Sequence, residues 1–225
     1  VEAEALEKTT GARIDALRDH IEALALPPAL RAVLLVSLME AADRVDSTTG
    51  VQMAYLKGWA PRSHRALELR LPEVLPQATH GKGEAHRLEA AEAARTLRAD
   101  VVYVDPPYNQ HSYLGNYHIW ETLVRWDNPE AYGVARKRVD CRERQSPFNS
   151  KRRCGQAFAE LFAAIDAPTL VVSFNNEGFL AREQLIELMR PWGEAEVLEV
   201  DYRRYVGAQI GIYNPKGAKV GAVSH

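Results

Sequence analysis

The chain is poor in cysteine. Cys141 and Cys154 are the two among 225 residues, and neither is joined by a second cysteine or histidine pair at metal-ligand spacing, which argues against a disulfide framework or a zinc site. Long apolar runs are missing as well. No stretch approaches the roughly 18 uninterrupted apolar residues of a membrane span, and the opening Val1-Glu2-Ala3-Glu4 is acidic where a signal peptide would be basic and then apolar. An intracellular, cytoplasmic protein is the expectation. The net charge is only −2, so the chain as a whole does not attract a polyanion, and nucleic-acid binding would have to come from local clusters of cations. No internal repeat or low-complexity tract is present. What remains, 46% hydrophobic and 26% charged residues, suits one sizeable core with room for a small accessory subdomain.

The most informative stretch is Val101-Val102-Tyr103-Val104-Asp105-Pro106-Pro107-Tyr108. Four β-formers, three of them β-branched, read as a buried strand. The strand stops abruptly at an acid, two prolines and an aromatic. Ligands of open α/β sheets sit beyond the carboxyl ends of strands, and two prolines fix φ while leaving carbonyl acceptors with no neighbouring N–H to occupy them. The run Asn109-Gln110-His111-Ser112-Tyr113-Leu114-Gly115-Asn116-Tyr117-His118-Ile119-Trp120-Glu121 then offers stacking faces and hydrogen bonds together, as an extruded base requires. Tyr108 and Tyr113 are the aromatics expected to face a ligand, because Ile119, Leu123 and Trp126 fall at helical spacing and suit packing. From Gly133 to Cys154 the chain carries eight basic residues (Arg136, Lys137, Arg138, Arg142, Arg144, Lys151, Arg152 and Arg153) against two acidic ones. That segment reads as a loop near the site that meets phosphate.

Around this centre the elements follow in order. Ile14, Leu17, Ile21 and Leu24 mark one amphipathic helix ending at Pro27-Pro28, and Leu30 to Val45 a second, closed by Ser47-Thr48-Thr49-Gly50; together they predict an αα-hairpin. Residues 61–83 hold three prolines and two glycines and read as a connection, with a short strand at Leu67–Leu71. Gly81-Lys82-Gly83 is a turn rather than a nucleotide loop, since no adequate strand precedes it. Glu84–Glu89 reads as a strand or turn before an Ala-rich helix from Ala90 to Leu97. After the basic segment come a helix (Phe158, Leu161, Phe162, Ile165), a strand Thr169–Phe174 ending in Asn175-Asn176-Glu177-Gly178, a helix over 180–190, and two strands, 196–206 and 210–213, flanking Gly207-Ala208-Gln209. The pattern predicts a mixed α/β sheet with added amino-terminal helices.

Asp105-Pro106-Pro107-Tyr108 at a strand end, with the flank from Asn109 to Arg138, resembles the D12 class of adenine-specific DNA methyltransferases. The resemblance implies a Rossmann-like methyltransferase sheet with a C-terminal antiparallel hairpin and a small N-terminal helical insertion. It divides the chain into a helical subdomain at 1–60, a connection at 61–83 and part of a catalytic domain at 84–225 with a basic loop at 133–154. It implies methyl transfer from S-adenosyl-L-methionine to N6 of a flipped adenine in double-stranded DNA, in a restriction-modification setting with a cognate endonuclease as possible partner. Asp105, Pro106, Pro107 and Tyr108 take the catalytic roles, with no metal or covalent nucleophile. Glu89 stands where the family usually shows Asp and, with Asp105, falls to the cofactor. Asn109, Tyr113, Tyr117, Arg136, Lys137, Arg138, Lys151, Arg152 and Arg153 fall to the target base or DNA. Thr48 to Lys57 is similar to a family stretch that precedes the catalytic motif, and Arg203 and Arg204 are further candidates for phosphate. The family's Phe-x-Gly-x-Gly cofactor loop is not found among these residues, and Lys216 to His225 resembles the approach to a further strand, so the resemblance implies a chain cut at both ends. Two other readings stay open: a DNA-binding remnant or subunit without methylating activity, and an RNA adenine methyltransferase.

Overall fold

The computed structural model describes residues 8–53 and 58–200, and the backbone of 212–213 and 219–221. Arg203, Arg204 and Gly207-Ala208-Gln209 lie outside the described residues, as do parts of the Thr48–Lys57 and Lys216–His225 stretches. The chain forms two compact units that interleave along the sequence: Val1–Pro72, Leu114–Val139 and Leu198–His225 make one, and Glu73–Tyr113 with Asp140–Val197 the other. This differs from the linear division expected at 60 and 83, because side chains of the helical part bind backbone far downstream.

In the first unit, α1 (Lys8–Ala23) and α2 (Pro28–Asp43) form the predicted αα-hairpin. Pro28 starts α2 at a position where a missing N–H is harmless. Ile14 and Ile21 pack with Leu35, Leu38, Ala42 and Val45, and Leu123 completes the cluster. Leu123 lies on α5 (His118–Arg125), which follows the single turn α4 (Tyr113–Asn116). Burial of each large aliphatic side chain here contributes about 1.5–3 kcal/mol. Arg18 is the exception to an apolar interior, fully buried, with Nε donating to the Leu123 carbonyl at 2.6 Å and Nη2 to that of Val124 at 3.1 Å. A cation thus meets the orphan carbonyls at the end of α5. Trp126 ends that helix in the left-handed region at φ 53°, where its indole covers the Arg18 guanidinium at 5.2 Å and donates to Asp19 at 2.7 Å.

Two loops of this unit are braced by polar side chains. Ser37 donates to the Arg70 carbonyl at 2.6 Å and Arg44 to that of Glu68 at 2.9 Å. The strand expected at Leu67–Leu71 does not form, for those two carbonyls are taken by side chains. Asp46 accepts from Thr48 Oγ1 at 2.6 Å and Arg62 Nε at 3.0 Å, while Ser47 Oγ accepts from the Ala60 N–H at 3.0 Å. Burial, and then the neighbouring Asp46 carboxylate, push the Asp43 carboxyl above the usual range.

Beyond α5 the first unit carries a short antiparallel pair, β2 (Ala131–Tyr132) and β3 (Lys137–Arg138). Its turn has positive φ at Gly133 (69°) and Arg136 (49°). The buried His118 ring bonds the Ala135 carbonyl through Nε2 at 2.9 Å.

The second unit is built on β1 (Val101–Val104) and β4 (Thr169–Val172), paired in parallel with Val101 opposite Thr169 and Val104 opposite Val172. The crossover between them includes α6 (Cys154–Ala164), whose Phe158, Leu161 and Phe162 form the core with Val104, Phe148, Ile165 and Leu185. Leu185 comes from α7 (Arg182–Met189), and α3 (Ala90–Thr96) lends Ala94 to the edge of the cluster. Among the described residues, one face of the strand pair is covered. Val102, Val104, Leu170 and Val172 pack on the core, while Val101 and Tyr103 on the other face stay 57% and 61% exposed. The buried strand expected at 101–104 is thus covered on one face, and among the described residues no element lies over the other.

Two further strand expectations fail. Residues 84–89, read as strand or turn, and 196–200, the described part of 196–206, have no strand conformation; both stretches are exposed, and among the described residues no strand pairs with them to satisfy an extended row of backbone groups. An antiparallel pair in the C-terminal region joins β5 (Ile212–Tyr213) to β6 (Lys219–Gly221); residues 201–206 of the expected hairpin lie outside the described residues.

Candidate active site at the end of the central strand

At the carboxyl end of β1 the main chain hands over to a loop held from the neighbouring strand. The Ser173 N–H donates to the Val104 carbonyl at 2.9 Å, and the Phe179 N–H to the Tyr108 carbonyl at 2.8 Å. The first and last residues of the Val104–Tyr108 span are thereby fixed, and Pro106 and Pro107 restrict the backbone between them. Asp105 is exposed, and its carboxylate has no hydrogen-bond or ion-pair partner among the described residues. The Tyr108 ring is half-buried and meets Phe174 edge-on at 5.7 Å between centroids. Phe174 in turn meets Phe158 at 5.7 Å, and Phe158 meets Phe148 at 5.1 Å. An aromatic chain thus runs from the core to the motif tyrosine.

The Asn175–Gly178 turn supports this arrangement. Asn175 Oδ1 accepts from the Glu177 N–H at 2.9 Å, and Gly178 passes so close to Phe174 that a Cβ there would lie 2.3 Å from the ring. Phe174 and Phe179, which composition did not single out, tie this turn to Tyr108, one through its ring and the other through its N–H. Nor did it single out Asn149, whose Nδ2 donates to the carbonyls of Asn109 (2.7 Å) and His111 (3.0 Å). The available signal was Phe148 beside it, the large apolar residue of a basic segment and now a buried core member.

The other candidates separate by environment. Tyr113 belongs to the second unit and is exposed; Tyr117 belongs to the first and is also exposed. Glu89 occupies the N-cap position of α3 with extended backbone and makes no side-chain capping bond, and no strand precedes it, so the strand-end placement expected for it is corrected. Lys151, Arg152 and Arg153 form an exposed turn leading into α6, and none of their side chains is engaged by a carboxylate among the described residues. Arg136 and Lys137 lie on the β2–β3 hairpin of the first unit.

Arg138 departs from the expectation of DNA contact. It is 3% exposed, and its guanidinium is held by both oxygens of Asp127, Nη1 to Oδ1 at 2.6 Å and Nη2 to Oδ2 at 2.8 Å. The Arg138 guanidinium in turn holds the Asp127 carboxyl below the usual range. A buried fork-on-fork pair closes the hairpin base and leaves Arg138 no face for phosphate. Among the described residues, no three His, Cys, Asp or Glu side chains gather as a metal site, and no helix is long and apolar enough to cross a membrane.

Comparison with known proteins decides what this loop belongs to. The family model of the D12 class N6 adenine-specific DNA methyltransferases matches residues 3–163. The chain belongs to that family. The D12 family has a Rossmann-like α/β fold, to which the β1–β4 pair and its helices conform, and its methyltransferases depend on S-adenosylmethionine. Among curated relatives, the chain is 31% identical to Modification methylase StsI of Streptococcus sanguinis, over 79% of this chain and 27% of the relative. It is 31% identical to Type II methyltransferase M.FokI of Planomicrobium okeanokoites, over 77% and 27%, and 28% identical to Type II methyltransferase M.NlaIII of Neisseria lactamica, over 87% and 58%. The chain spans about a third or less of the length of the first curated relatives it matches. No solved structure matches it.

The chemistry of the Asp105 loop fits the charge of that family's cofactor. An open carboxylate at the carboxyl end of a parallel strand pair suits a cationic sulfonium donor, and the Pro106 carbonyl beside it belongs to a peptide whose neighbour Pro107 lacks an N–H.

Proposed function

We propose that the chain carries the target-adenine half of a DNA adenine-N6 methyltransferase of a restriction-modification system. Adenine N6 is a weak nucleophile because its lone pair is delocalised into the ring. Asp105 accepts a hydrogen bond from the amino group, and the Pro106 carbonyl accepts a second, so that electron density at nitrogen rises and its proton has an acceptor as the new C–N bond forms. Tyr108 holds the flat base on a ring braced by Phe174, and Pro107 keeps the loop from relaxing. When bound, S-adenosylmethionine supplies the electrophilic methyl group; Asp105 and Glu89 are the residues of this chain that would hold it, with Glu89 an acceptor for the cofactor's adenine amino group. Asn109, Tyr113 and Tyr117 serve the extruded base or its neighbours. Lys151, Arg152 and Arg153, with Arg136 and Lys137, serve phosphate.

The observation that carries this reading is the open Asp105 carboxylate on a loop fixed at both ends, in a chain of the D12 family. The test is transfer of a labelled methyl group to unmethylated duplex DNA by this chain and by a form extended upstream, followed by nucleoside analysis. Wild type yields N6-methyladenine, and Asp105→Ala is slowed at least about a hundredfold, the scale on which removal of an aligned acceptor acts. Normal methyl transfer by Asp105→Ala would refute the assignment. Methylation of RNA in place of DNA would move the substrate, and DNA binding without methylation by wild type would point to the remnant reading.

A further inference from the structure

The cationic turn and the catalytic loop meet in one side chain. Ser146 Oγ accepts from the Phe148 N–H at 3.3 Å and starts a single helical turn over Pro147–Asn149. Phe148 anchors that turn in the core, edge-on to Phe158. From this anchor Asn149 uses its amide on the carbonyls of Asn109 and His111, the first and third residues after Tyr108. A primary amide has two N–H donors, so both are committed to the peptide that leaves the catalytic motif. Asn109 Oδ1 accepts from the His111 N–H at 3.0 Å and folds the same peptide onto itself. On the other side of Asn149 the chain runs through Ser150 into Lys151-Arg152-Arg153, and the Ser150 carbonyl accepts from the N–H groups of Arg153 (2.9 Å) and Cys154 (2.8 Å). The three cations and the clamp thus share one short, hydrogen-bonded stretch.

We propose that Asn149 is a positioning residue, coupling phosphate contact at Lys151–Arg153 to the placement of the Asp105–Tyr108 loop. The inference rests on the DNA adenine methylation reading above. Phosphate engaged by the turn bears on Asn149, and Asn149 sets the peptide that determines where Tyr108 and Asp105 meet the base. Sequence-independent binding energy is thereby turned to alignment of the reacting atoms.

The experiment measures kcat at saturating DNA and methyl donor, DNA affinity, and thermal midpoint for the full chain and for Asn149→Ala, Asn149→Asp and Arg152→Ala, with rates read below every midpoint. Asn149→Ala and Asn149→Asp are expected to lower kcat about ten- to a hundredfold, as a misplacement near 1 Å does, while DNA affinity stays within about twofold because no phosphate contact is lost. Arg152→Ala is expected to weaken DNA binding and flatten its salt dependence, and to lower kcat in the wild-type background but not on top of Asn149→Ala. Asn149→Ala is the milder variant and stands in should the acid fail to fold. Unchanged kcat in a folded Asn149→Ala overturns the inference, and so does an Arg152→Ala effect on kcat of equal size in both backgrounds. If neither the chain nor its upstream-extended form methylates adenine in DNA, the methylation reading fails and takes this inference with it.

Discussion

Gly178→Ala tests the aromatic brace behind Tyr108. An added Cβ would lie 2.3 Å from Cε1 and Cζ of Phe174 and 3.3 Å from the Asn175 carbonyl oxygen, well inside the 3.5–4.0 Å at which carbon atoms pack. Relief has to come from Phe174, yet that ring is held between Tyr108 and Phe158 at 5.7 Å on each side. A shift of roughly 1 Å in a packed aromatic is an overpacking change, costing about 1–3 kcal/mol. The midpoint in urea falls accordingly with unchanged slope, and thermal unfolding falls by about 2–4 °C for each kcal/mol in a domain of this size. Because the displaced ring is the one touching Tyr108, methyl transfer falls as well. Phe174→Leu removes the colliding atoms, so Gly178→Ala costs less in that background than in wild type, a coupling that a double-mutant cycle reads directly. A stability loss below about 0.5 kcal/mol, the scatter of ordinary surface changes, together with an unaltered rate, would refute the argument that Phe174 is pinned.

Two more predictions concern the first unit. Asp127→Asn removes the charge that balances the buried Arg138 guanidinium, and truncating one side of such a pair costs about 3–5 kcal/mol by the usual measure, less a discount for the partly exposed Asp127; urea unfolding reports it. Burial, the largest influence, holds the His118 ring below its ordinary value against the opposing bonds to Ala135 and Gly115. The unfolded chain therefore binds the proton more readily, so stability is complete above the unfolded value near 6.5 and falls as pH drops from about 6.5 toward the folded value. His118→Gln flattens that part of the pH–stability curve, and an unchanged slope in the variant would assign it to another group.

How much of this was legible in the sequence depends on the range of the interaction. The helices at 8–23, 28–43, 154–164 and 182–189 and the strands at 101–104 and 169–172 follow from periodicity and breakers within a few residues of each place. The loop after Val104 was legible for the same reason, since Pro106 and Pro107 dictate their own backbone. The bonds that fix where these pieces stand are long in sequence: Arg18 reaches a carbonyl 105 residues away, Gln52 accepts from an N–H 67 residues away, and Asn149 bridges 40. No local pattern marks an arginine as one that will cap a distant helix. The strands expected at 67–71 and 84–89 show the converse: their local pattern was adequate, but they do not form, and among the described residues neither has a partner strand.

The basic segment shows why charge counting finds a surface and not its contacts. Arg138 and Arg152 are indistinguishable as residues in a run of cations, yet one is buried and held at both nitrogens by Asp127 while the other stands exposed beyond Asn149. A guanidinium already neutralised in a bidentate pair loses that pair if it turns to phosphate, whereas an unpaired one releases counterions on contact and gains directly. The division of labour in the segment therefore follows from the placement of acids rather than bases: Asp127 turns Arg138 into the fastener of a hairpin, and with no carboxylate among the described residues engaging 151–153, that turn keeps its charge. It is this turn, and not the whole basic run, that lies next to Asn149, the side chain holding the peptide after Tyr108.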